Sequence, residues 1–177
     1  MSDIDKKLTK KLQKRFADQE SLSCINLDVA CAQDFKQIKK NVRSVLAVNV
    51  LEHIENDVQA MKNVYQVLCK GGNFVILVPA HKWLFNSIDQ TVGHYRRYTY
   101  EELEEKIKLT GFSISKIFSF NCFSILGWFI TGNLLKKNGI DAKSLNAFNK
   151  LVPFMKLFEN RILRKKIGIS IIAVLKK

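Results

Sequence analysis

A polar segment of six residues, GHYRRY at positions 93–98, holds side chains that suit anion binding. Two adjacent arginines can hold a phosphate or carboxylate through paired hydrogen bonds, and tyrosine rings offer stacking surfaces. The segment lies in a connection of residues 80–98, which is longer than most loops and is therefore expected to be functional. We predict that four of its residues contact the substrate: His94, Tyr95, Arg96 and Arg97.

The same arginines have a structural alternative. Asp89 precedes them in the loop, and Glu101 follows at the start of a predicted helix. Either acid can pair with Arg96 or Arg97 and brace the loop, which would withdraw that arginine from a ligand. Both interpretations stay open at the level of the sequence.

His53 is the candidate for proton transfer. The ordinary pKa of histidine lies near neutrality, so its imidazole can accept a proton at physiological pH. His53 follows an apolar run at residues 44–51 and stands next to Glu52. The alternative role of this Glu-His pair is to cap and brace the helix that comes next.

Apolar patterns predict the elements that position these residues. Residues 44–51 and 74–78 are apolar runs typical of strands buried on both faces of a parallel sheet. Between them, Asn56 or Asp57 can cap a helix with one apolar stripe, which stops at the glycines of positions 71–72. A strand, a helix and a strand with short connections predict a parallel α/β sheet whose ligands lie at the carboxyl ends of the strands.

Further elements extend this pattern on both sides. An amphipathic helix is predicted for residues 6–16 and a short strand for residues 22–29. Thr99 and Glu102 have the spacing of a capping box for another helix, which runs to Gly111. Strands at residues 112–118 and 169–175 complete the set.

The composition is that of an ordinary globular protein, with 47% hydrophobic and 25% charged residues, which excludes fibrous and broadly disordered classes. The net charge is +13. Nucleic acid is nevertheless not expected as a partner, because most lysines fall on the solvent faces of amphipathic helices and no nucleic-acid-binding motif is present. The four cysteines lack the spacing of zinc ligands or a disulfide framework, so we predict no metal site and a cytoplasmic location.

Residues 117–135 contain no charged side chain over 19 positions. This approaches the roughly 20 apolar residues of a membrane span, but polar residues dilute it, so we predict a monotopic or substrate-facing apolar helix. An amphipathic helix at residues 145–163 follows, with a basic face that suits anionic lipid. Its alternative role is to cover one face of the sheet.

Four segments together resemble the class I S-adenosylmethionine-dependent methyltransferases. They are NVLEHI at residues 49–54, LCKGG at residues 68–72, VPA at residues 78–80 and the GHYRRY segment. The last is the most specific, and it is similar to a branch found with glycosyltransferases and cell-envelope sugar pathways. The resemblance extends over essentially the whole chain.

The resemblance implies S-adenosylmethionine as the cofactor and assigns its contacts. Asp28 would accept a hydrogen bond from the adenine amino group, and Ala30 would flank the adenine. Asp3 would bind the ribose hydroxyls, and Asn49 would lie beside the methionine part. His53 would lie at the face where the acceptor binds and would serve as the catalytic base.

The chain departs from this family at its start. Family members have a first strand and a glycine-rich turn before the ribose acid, whereas here two residues precede Asp3 and no glycine occurs before Gly71. In the family sheet order 3-2-1-4-5-7-6, the first strand is central. The fold class implied is a Rossmann-like α/β sheet that lacks its first strand and most of its second. We expect a truncated product or half of a split protein, whose sheet a second chain or self-association would complete.

These inferences predict a single methyltransferase-like domain at residues 1–177. Its core would be residues 1–116 and 167–177, with a helical apolar and basic insertion at residues 117–166 before the last strand. The expected function is methyl transfer to a small-molecule, lipid-linked or envelope-sugar acceptor, in the cytoplasm or at the inner face of the membrane. The alternative is an inactive fragment that serves as a partner subunit or a peripheral membrane-binding protein.

Overall fold

The computed structural model describes residues 1–38, 41–134 and 167–177, which form two β-sheets and their helices. The strands are β1 (Ser2–Asp3), β2 (Ile25–Asn26), β3 (Val42–Val48), β4 (Leu68–Pro79), β5 (Ser113–Phe120) and β6 (Ser170–Lys176). The helices are α1 (Lys6–Arg15), α2 (Asp57–Val67), α3 (Ser87–Thr91), α4 (Tyr100–Lys108) and α5 (Phe123–Trp128), and a π-helical stretch, Phe129–Leu134, continues α5.

The larger sheet has the strand order β3-β4-β6-β5. β3 runs parallel to β4, with Val45 opposite Phe74, whereas β6 is antiparallel to both β4 and β5. The two central strands carry the core, because Ile76 and Ala173 face each other across β4 and β6 and are fully buried. The predicted strand-helix-strand unit is confirmed as β3-α2-β4, and the complete sheet is mixed.

β1 and β2 form a separate two-stranded parallel sheet, in which Asp3 lies opposite Asn26. Helix α2 links this sheet to the larger one, since Asn63 Nδ2 donates a hydrogen bond of 3.0 Å to the carbonyl oxygen of Val29. Leu27 also belongs to the same hydrophobic core as the α2 and β4 side chains. Within the described ranges, β1 and β2 pair only with each other.

β3 lies at one edge of the larger sheet. Its Leu46 and Val48 side chains are 68% and 48% exposed. The prediction that this run is buried on both faces is therefore wrong. In the part of the chain that the structure describes, β3 pairs with β4 alone and the face that carries Leu46 lacks a covering layer, which leaves an apolar strand half in solvent.

Helix α2 begins as predicted, because Asn56 Oδ1 accepts a hydrogen bond of 3.1 Å from the amide of Gln59. The helix ends at Val67, however, and not at the glycines of positions 71–72. The reason is that β4 starts at the next residue and runs through both glycines. Gly71 has a φ of 75° within this strand, a conformation that glycine adopts without steric cost.

The predicted helix at residues 6–16 is confirmed as α1, with Asp5 as its cap. Its apolar stripe is not fully buried, since Leu8 is exposed while Thr9 is buried. The strand predicted at residues 22–29 is much shorter, because only the two residues of β2 pair with β1.

Helix α4 has the predicted cap, in which the hydroxyl of Thr99 accepts a hydrogen bond of 3.2 Å from the amide of Glu102. It ends at Lys108, three residues before Gly111. The following strand, β5, starts within one residue of its predicted position and continues to Phe120.

The uncharged stretch at residues 117–135 divides between the end of β5 and a helix. The helix is α5, and its π-helical continuation runs to Leu134. Among the described residues, no helix has both the length and the apolar character that a membrane crossing requires. The amphipathic helix predicted at residues 145–163 lies outside the described residues.

Candidate active site

The turn after β3 gives the neighbouring side chains of Glu52 and His53 different environments. Asn49 has a φ of 50°, which asparagine tolerates better than most residues, and a 3-10 turn at Leu51–His53 follows. The turn buries Glu52 and leaves His53 exposed. The amide of Asn49 donates a hydrogen bond of 3.0 Å to the carbonyl oxygen of Leu77, which anchors the turn to β4.

The two ends of the connection at residues 80–98 are joined by backbone hydrogen bonds. The amide of Tyr98 donates to the carbonyl oxygen of Pro79, and the amide of His81 donates to that of Tyr98, each at 2.9 Å. Within the loop, a capping box starts α3, in which the side chains of Asn86 and Asp89 each accept a backbone hydrogen bond. Backbone hydrogen bonds and the α3 capping box thus hold this long loop in a defined conformation.

The two loops contact each other and bring two histidines together. The amide of Tyr95 donates a hydrogen bond of 2.8 Å to the carbonyl oxygen of Glu52. Nδ1 of His53 lies 3.1 Å from the carbonyl oxygen of Gly93. As a result, the ring centroids of His53 and His94 are 4.7 Å apart, with their planes inclined at 72°.

Asp89 is the centre of a buried network. Its carboxylate oxygens lie 2.9 and 3.0 Å from Nε of Arg97, and one of them lies 2.7 Å from Nδ1 of His94. Burial alone would raise the pKa of Asp89, but the hydrogen bonds from His94 and Arg97 outweigh it and hold this pKa below its ordinary value. The guanidinium of Arg97 also donates to the carbonyl oxygen of Ala80 and stacks 4.6 Å from the ring centroid of Trp128.

Asp57, the first residue of α2, is the centre of a second network. It accepts hydrogen bonds from the hydroxyl of Tyr98 at 2.7 Å and from Nζ of Lys106 at 2.6 Å. Arg96 adds an ion pair of 2.9 Å to the same carboxylate and donates to the carbonyl oxygen of Glu55. Burial opposes ionisation of Asp57, but these donors together lower its pKa below the ordinary value.

Both arginines of the GHYRRY segment therefore pair with acids. Arg97 is 2% exposed and held by Asp89, so the loop-brace alternative describes it, and its guanidinium is not free for a substrate anion. Arg96 pairs with Asp57, a partner that the sequence identified only as a possible helix cap. Tyr95 is exposed, so its side chain remains accessible to a ligand.

Glu52 is buried without a hydrogen-bonding partner for its side chain. Neither carboxylate oxygen has a donor among the described residues, and Oε1 lies 3.9 Å from Nε2 of His94. Burial raises the pKa of Glu52 to about 7. The raised pKa of Glu52 contrasts with the lowered pKa values of Asp57 and Asp89.

A cavity of about 350 Å³ is bounded in part by Tyr95, Arg96 and Arg97 of the GHYRRY segment. Its volume lies within the range of small-molecule sites. Lys82 forms an ion pair of 2.9 Å with Glu102 in its wall. The residues that line it are Lys82, Phe85, Tyr95, Arg96, Arg97 and Glu102.

The comparisons with known proteins agree with one another. A family profile described as "Methyltransferase domain" matches residues 1–76. A solved S-adenosylmethionine-dependent methyltransferase from Archaeoglobus fulgidus is 17% identical, covers 99% of this chain and 74% of its own, and superposes with a TM-score of 0.58. The chain has the fold of an S-adenosylmethionine-dependent methyltransferase.

Two further structures share this methyltransferase fold. The Mesorhizobium loti S-adenosylmethionine-dependent methyltransferase is 12% identical, with 99% of this chain and 78% of that chain covered and a TM-score of 0.62. The Haemonchus contortus phosphoethanolamine N-methyltransferase 2, solved with S-adenosyl-L-methionine, is 16% identical, with 99% and 42% covered and a TM-score of 0.59. No curated protein sequence matches the chain. The family match and the fold together support a methyltransferase with S-adenosylmethionine as its cofactor.

The acids predicted to hold this cofactor have suitable local geometry. Oδ1 of Asp28 accepts a hydrogen bond of 2.9 Å from the amide of Ala30, and Oδ1 of Asp3 accepts one of 2.8 Å from the amide of Asp5. Each carboxylate is thus oriented by a backbone amide, and its role in cofactor binding stays a prediction. Asp3 and Asp28 lie at the small sheet, whereas Asn49 follows β3 of the larger sheet.

Three residues contribute to the candidate site in ways that were not predicted from the sequence. The sequence indicates helix capping for Glu52 and Asp57, includes Glu52 in the NVLEHI segment, and places Trp128 in an uncharged apolar stretch. A sequence signal existed for Asp57, because an acid just after a strand-end motif is well placed to meet the loop from the next strand. The contact of Trp128 with Arg97 depends on tertiary packing of α5, for which the sequence carries no local signal.

Proposed function

We propose that this methyltransferase acts on a small-molecule acceptor that carries an anionic group. The observation that supports this proposal is that Tyr95, the residue after His94 of the histidine pair, lines a cavity together with Lys82 and Arg96. Methyl transfer needs such a surface, because the protein's main task is to align donor and acceptor.

His53 is the proposed base. Methyl transfer from the sulfonium forms a bond between the acceptor atom and the methyl carbon as the carbon–sulfur bond breaks, and a hydroxyl acceptor must also lose its proton. Because the carbonyl oxygen of Gly93 can only accept, Nδ1 of His53 carries the hydrogen of their 3.1 Å contact. The lone pair then lies on Nε2, which takes the proton. His94 is the second candidate, since Asp89 holds its Nδ1 at 2.7 Å.

Arg96 and Lys82 supply positive charge for the anionic group. Arg96 commits two of its nitrogens to Asp57 and Glu55, and a guanidinium has five N–H donors. Lys82 has a largely exposed side chain, and its partner is a single carboxylate of Glu102. A phosphate or carboxylate can therefore bind between them without breaking a buried ion pair.

We further propose a lipid-linked or envelope-sugar acceptor that is reached at a membrane surface. Helix α5 and its π-helical continuation expose Leu126, Ile130 and Leu134. The ring of Trp83, in the connection of residues 80–98, lies 6.1 Å from that of Phe129. Trp83 is adjacent to Lys82, which lines the arginine-containing cavity. An apolar surface joined to a basic cavity suits a lipid with an anionic head group.

Vesicle flotation tests the membrane contact. We expect wild-type protein to float with vesicles that contain anionic lipid, and Leu126→Ser with Leu134→Ser to reduce the floating fraction. Leu109→Ser, at an exposed leucine after α4, is the matched control. Equal flotation of the double variant and the wild type would contradict the membrane proposal while leaving the enzymatic one intact.

We also propose that a strand from another segment or chain pairs with the open edge of β3. Two observations support this: β3 and β1 each have one unpaired edge among the described residues, and Leu46 stands exposed on β3. In addition, 26% of the Archaeoglobus chain and 22% of the Mesorhizobium chain are not matched here. Such a strand would satisfy the backbone groups at this edge.

Isothermal titration with S-adenosylmethionine tests the enzymatic proposal. We expect a single site, and we expect Asp28→Asn to weaken binding more than Asp18→Asn, since Asp18 lies in the loop after α1. Transfer of a radiolabelled methyl group to anionic acceptors then tests the substrate class. Absence of binding by folded protein at millimolar cofactor would overturn the proposal.

A further inference from the structure

Glu52, His53 and His94 form a cluster whose side chains are suited to metal binding as well as to proton transfer. One potential ligand atom from each residue lies within 4.8 Å of the others. The three come from two separate loops, which the hydrogen bond from the amide of Tyr95 to the carbonyl oxygen of Glu52 holds together. Two imidazoles and one carboxylate are the donor set of many zinc and iron sites in proteins.

Both histidines have the outer contacts that metal-binding histidines usually have. Nδ1 of His94 is held by the carboxylate of Asp89 at 2.7 Å, and Nδ1 of His53 by the carbonyl oxygen of Gly93 at 3.1 Å. Such contacts fix the ring orientation and leave Nε2 as the free donor atom. Nε2 of His94 is the atom that approaches Oε1 of Glu52.

Glu52 provides an independent indication of a ligand. Its side chain is completely buried, and neither oxygen has a hydrogen-bond donor among the described residues. Buried acids in proteins are normally paired. The guanidinium of Arg97, whose positive charge acts on Glu52, is already held by both oxygens of Asp89. The cluster thus contains one unmatched acid and two available imidazole nitrogens.

We propose that Glu52, His53 and His94 bind one divalent transition-metal ion, such as Zn²⁺. Metal–ligand bonds of about 2.0–2.2 Å place ligand atoms about 3–3.5 Å apart, so the cluster must close by roughly an ångström on binding. His53 is exposed, so its side chain has room for a shift of this size. Three protein ligands leave an open coordination position, as in catalytic zinc sites.

The open position would face the acceptor, a step that rests on the proposed function. With a cation bound, His53 is a ligand and no longer the base, and the metal would lower the pKa of an acceptor hydroxyl in its place. Metal binding and methyl transfer are measured separately, so the failure of one proposal is distinguishable from the failure of the other.

Titration of the full chain with Zn²⁺, and with Co²⁺ as a spectroscopic probe, tests the metal site. We expect one high-affinity ion per chain and visible Co²⁺ absorption typical of a four- or five-coordinate site. Glu52→Gln, His94→Asn and His53→Asn should each weaken the affinity at least about tenfold. Because His53 is exposed, its variant keeps the test valid even if the buried ones fold poorly.

Two matched controls sharpen this test. His81→Asn alters the one remaining histidine of the chain, at a φ of 65° that asparagine tolerates, and Glu55→Gln alters an exposed acid three residues from Glu52. Both should retain wild-type affinity. Binding that is absent, or that persists unchanged in all three cluster variants, would overturn the proposal.

Discussion

Nε of Arg97 lies 2.9 and 3.0 Å from the two carboxylate oxygens of Asp89, inside the loop that forms one wall of the candidate site. Removing one member of a buried ion pair leaves the other charge unpaired, which costs about 3–5 kcal/mol. We therefore expect Arg97→Met to lower the free energy of unfolding by about this amount in urea denaturation.

The control for this prediction is Arg43→Met, at an exposed arginine of β3. Exposed substitutions of this kind usually change stability by less than about 0.5 kcal/mol. If Arg97→Met costs no more than Arg43→Met, the pair with Asp89 does not hold the loop.

The pKa of Asp57 predicts how stability depends on pH. Because its folded-state pKa lies below the ordinary 3.8, its ionised form stabilises the fold fully above that value. The contribution is lost as pH falls from about 4 through the lower folded-state pKa. We expect Asp57→Asn to flatten the acid limb of a stability profile between about pH 5 and pH 2, measured by denaturation at each pH.

Asp18→Asn, in the loop after α1, is the matched control, since Asp18 is an exposed acid. It should leave the acid limb unchanged. An Asp57→Asn profile parallel to that of wild type would show that Lys106, Tyr98 and Arg96 do not favour the ionised carboxylate.

His53→Asn tests the proposed base. Loss of a general base lowers kcat by about 10²–10⁴-fold, whereas binding of S-adenosylmethionine should change little because His53 is assigned to the acceptor side. His81→Asn is the control, because His81 lies outside the histidine pair. Equal kcat values for the two variants would assign proton transfer to another group, of which His94 is the first to test.

The open edge of β3 predicts self-association of the isolated chain. Unpaired edges with exposed apolar residues recruit other strands, and a lysine at such a position opposes this. We expect Leu46→Lys to reduce the concentration-dependent increase of mass in analytical ultracentrifugation. Leu109→Lys, with a similarly exposed leucine away from any strand, should behave as wild type. Identical association of both variants would place the contact elsewhere.

Much of the local structure could be predicted because its signals are local. Asn56 and Thr99 cap their helices as their positions indicate, and the apolar runs mark β3 and β4. The burial of β3 could not be predicted, since it depends on which strand lies beside it. The same holds for Glu52, whose environment is created by a loop about 40 residues further along the chain.

The π-helical stretch after α5 packs against the candidate site through Gly132. A β-carbon at this glycine would overlap the side chain of Asn86. Asn86 cannot move aside freely, because its side chain donates to Leu84 and Asn133 and accepts from the amide of Ile88. The absence of a side chain at position 132 therefore lets this helix approach the start of α3.

Gly132→Ala tests that approach. Overpacking at a buried contact costs about 1–3 kcal/mol, so we expect the variant to unfold at lower urea concentration than wild type. Gly127→Ala is the matched control, because a β-carbon there meets no atom within 4 Å and alanine favours a helix over glycine. The control should be neutral or more stable by up to about 1 kcal/mol. Equal effects of the two variants would mean that the π-helical stretch does not dock on Asn86, and the contact of Trp128 with Arg97 would then lack this support.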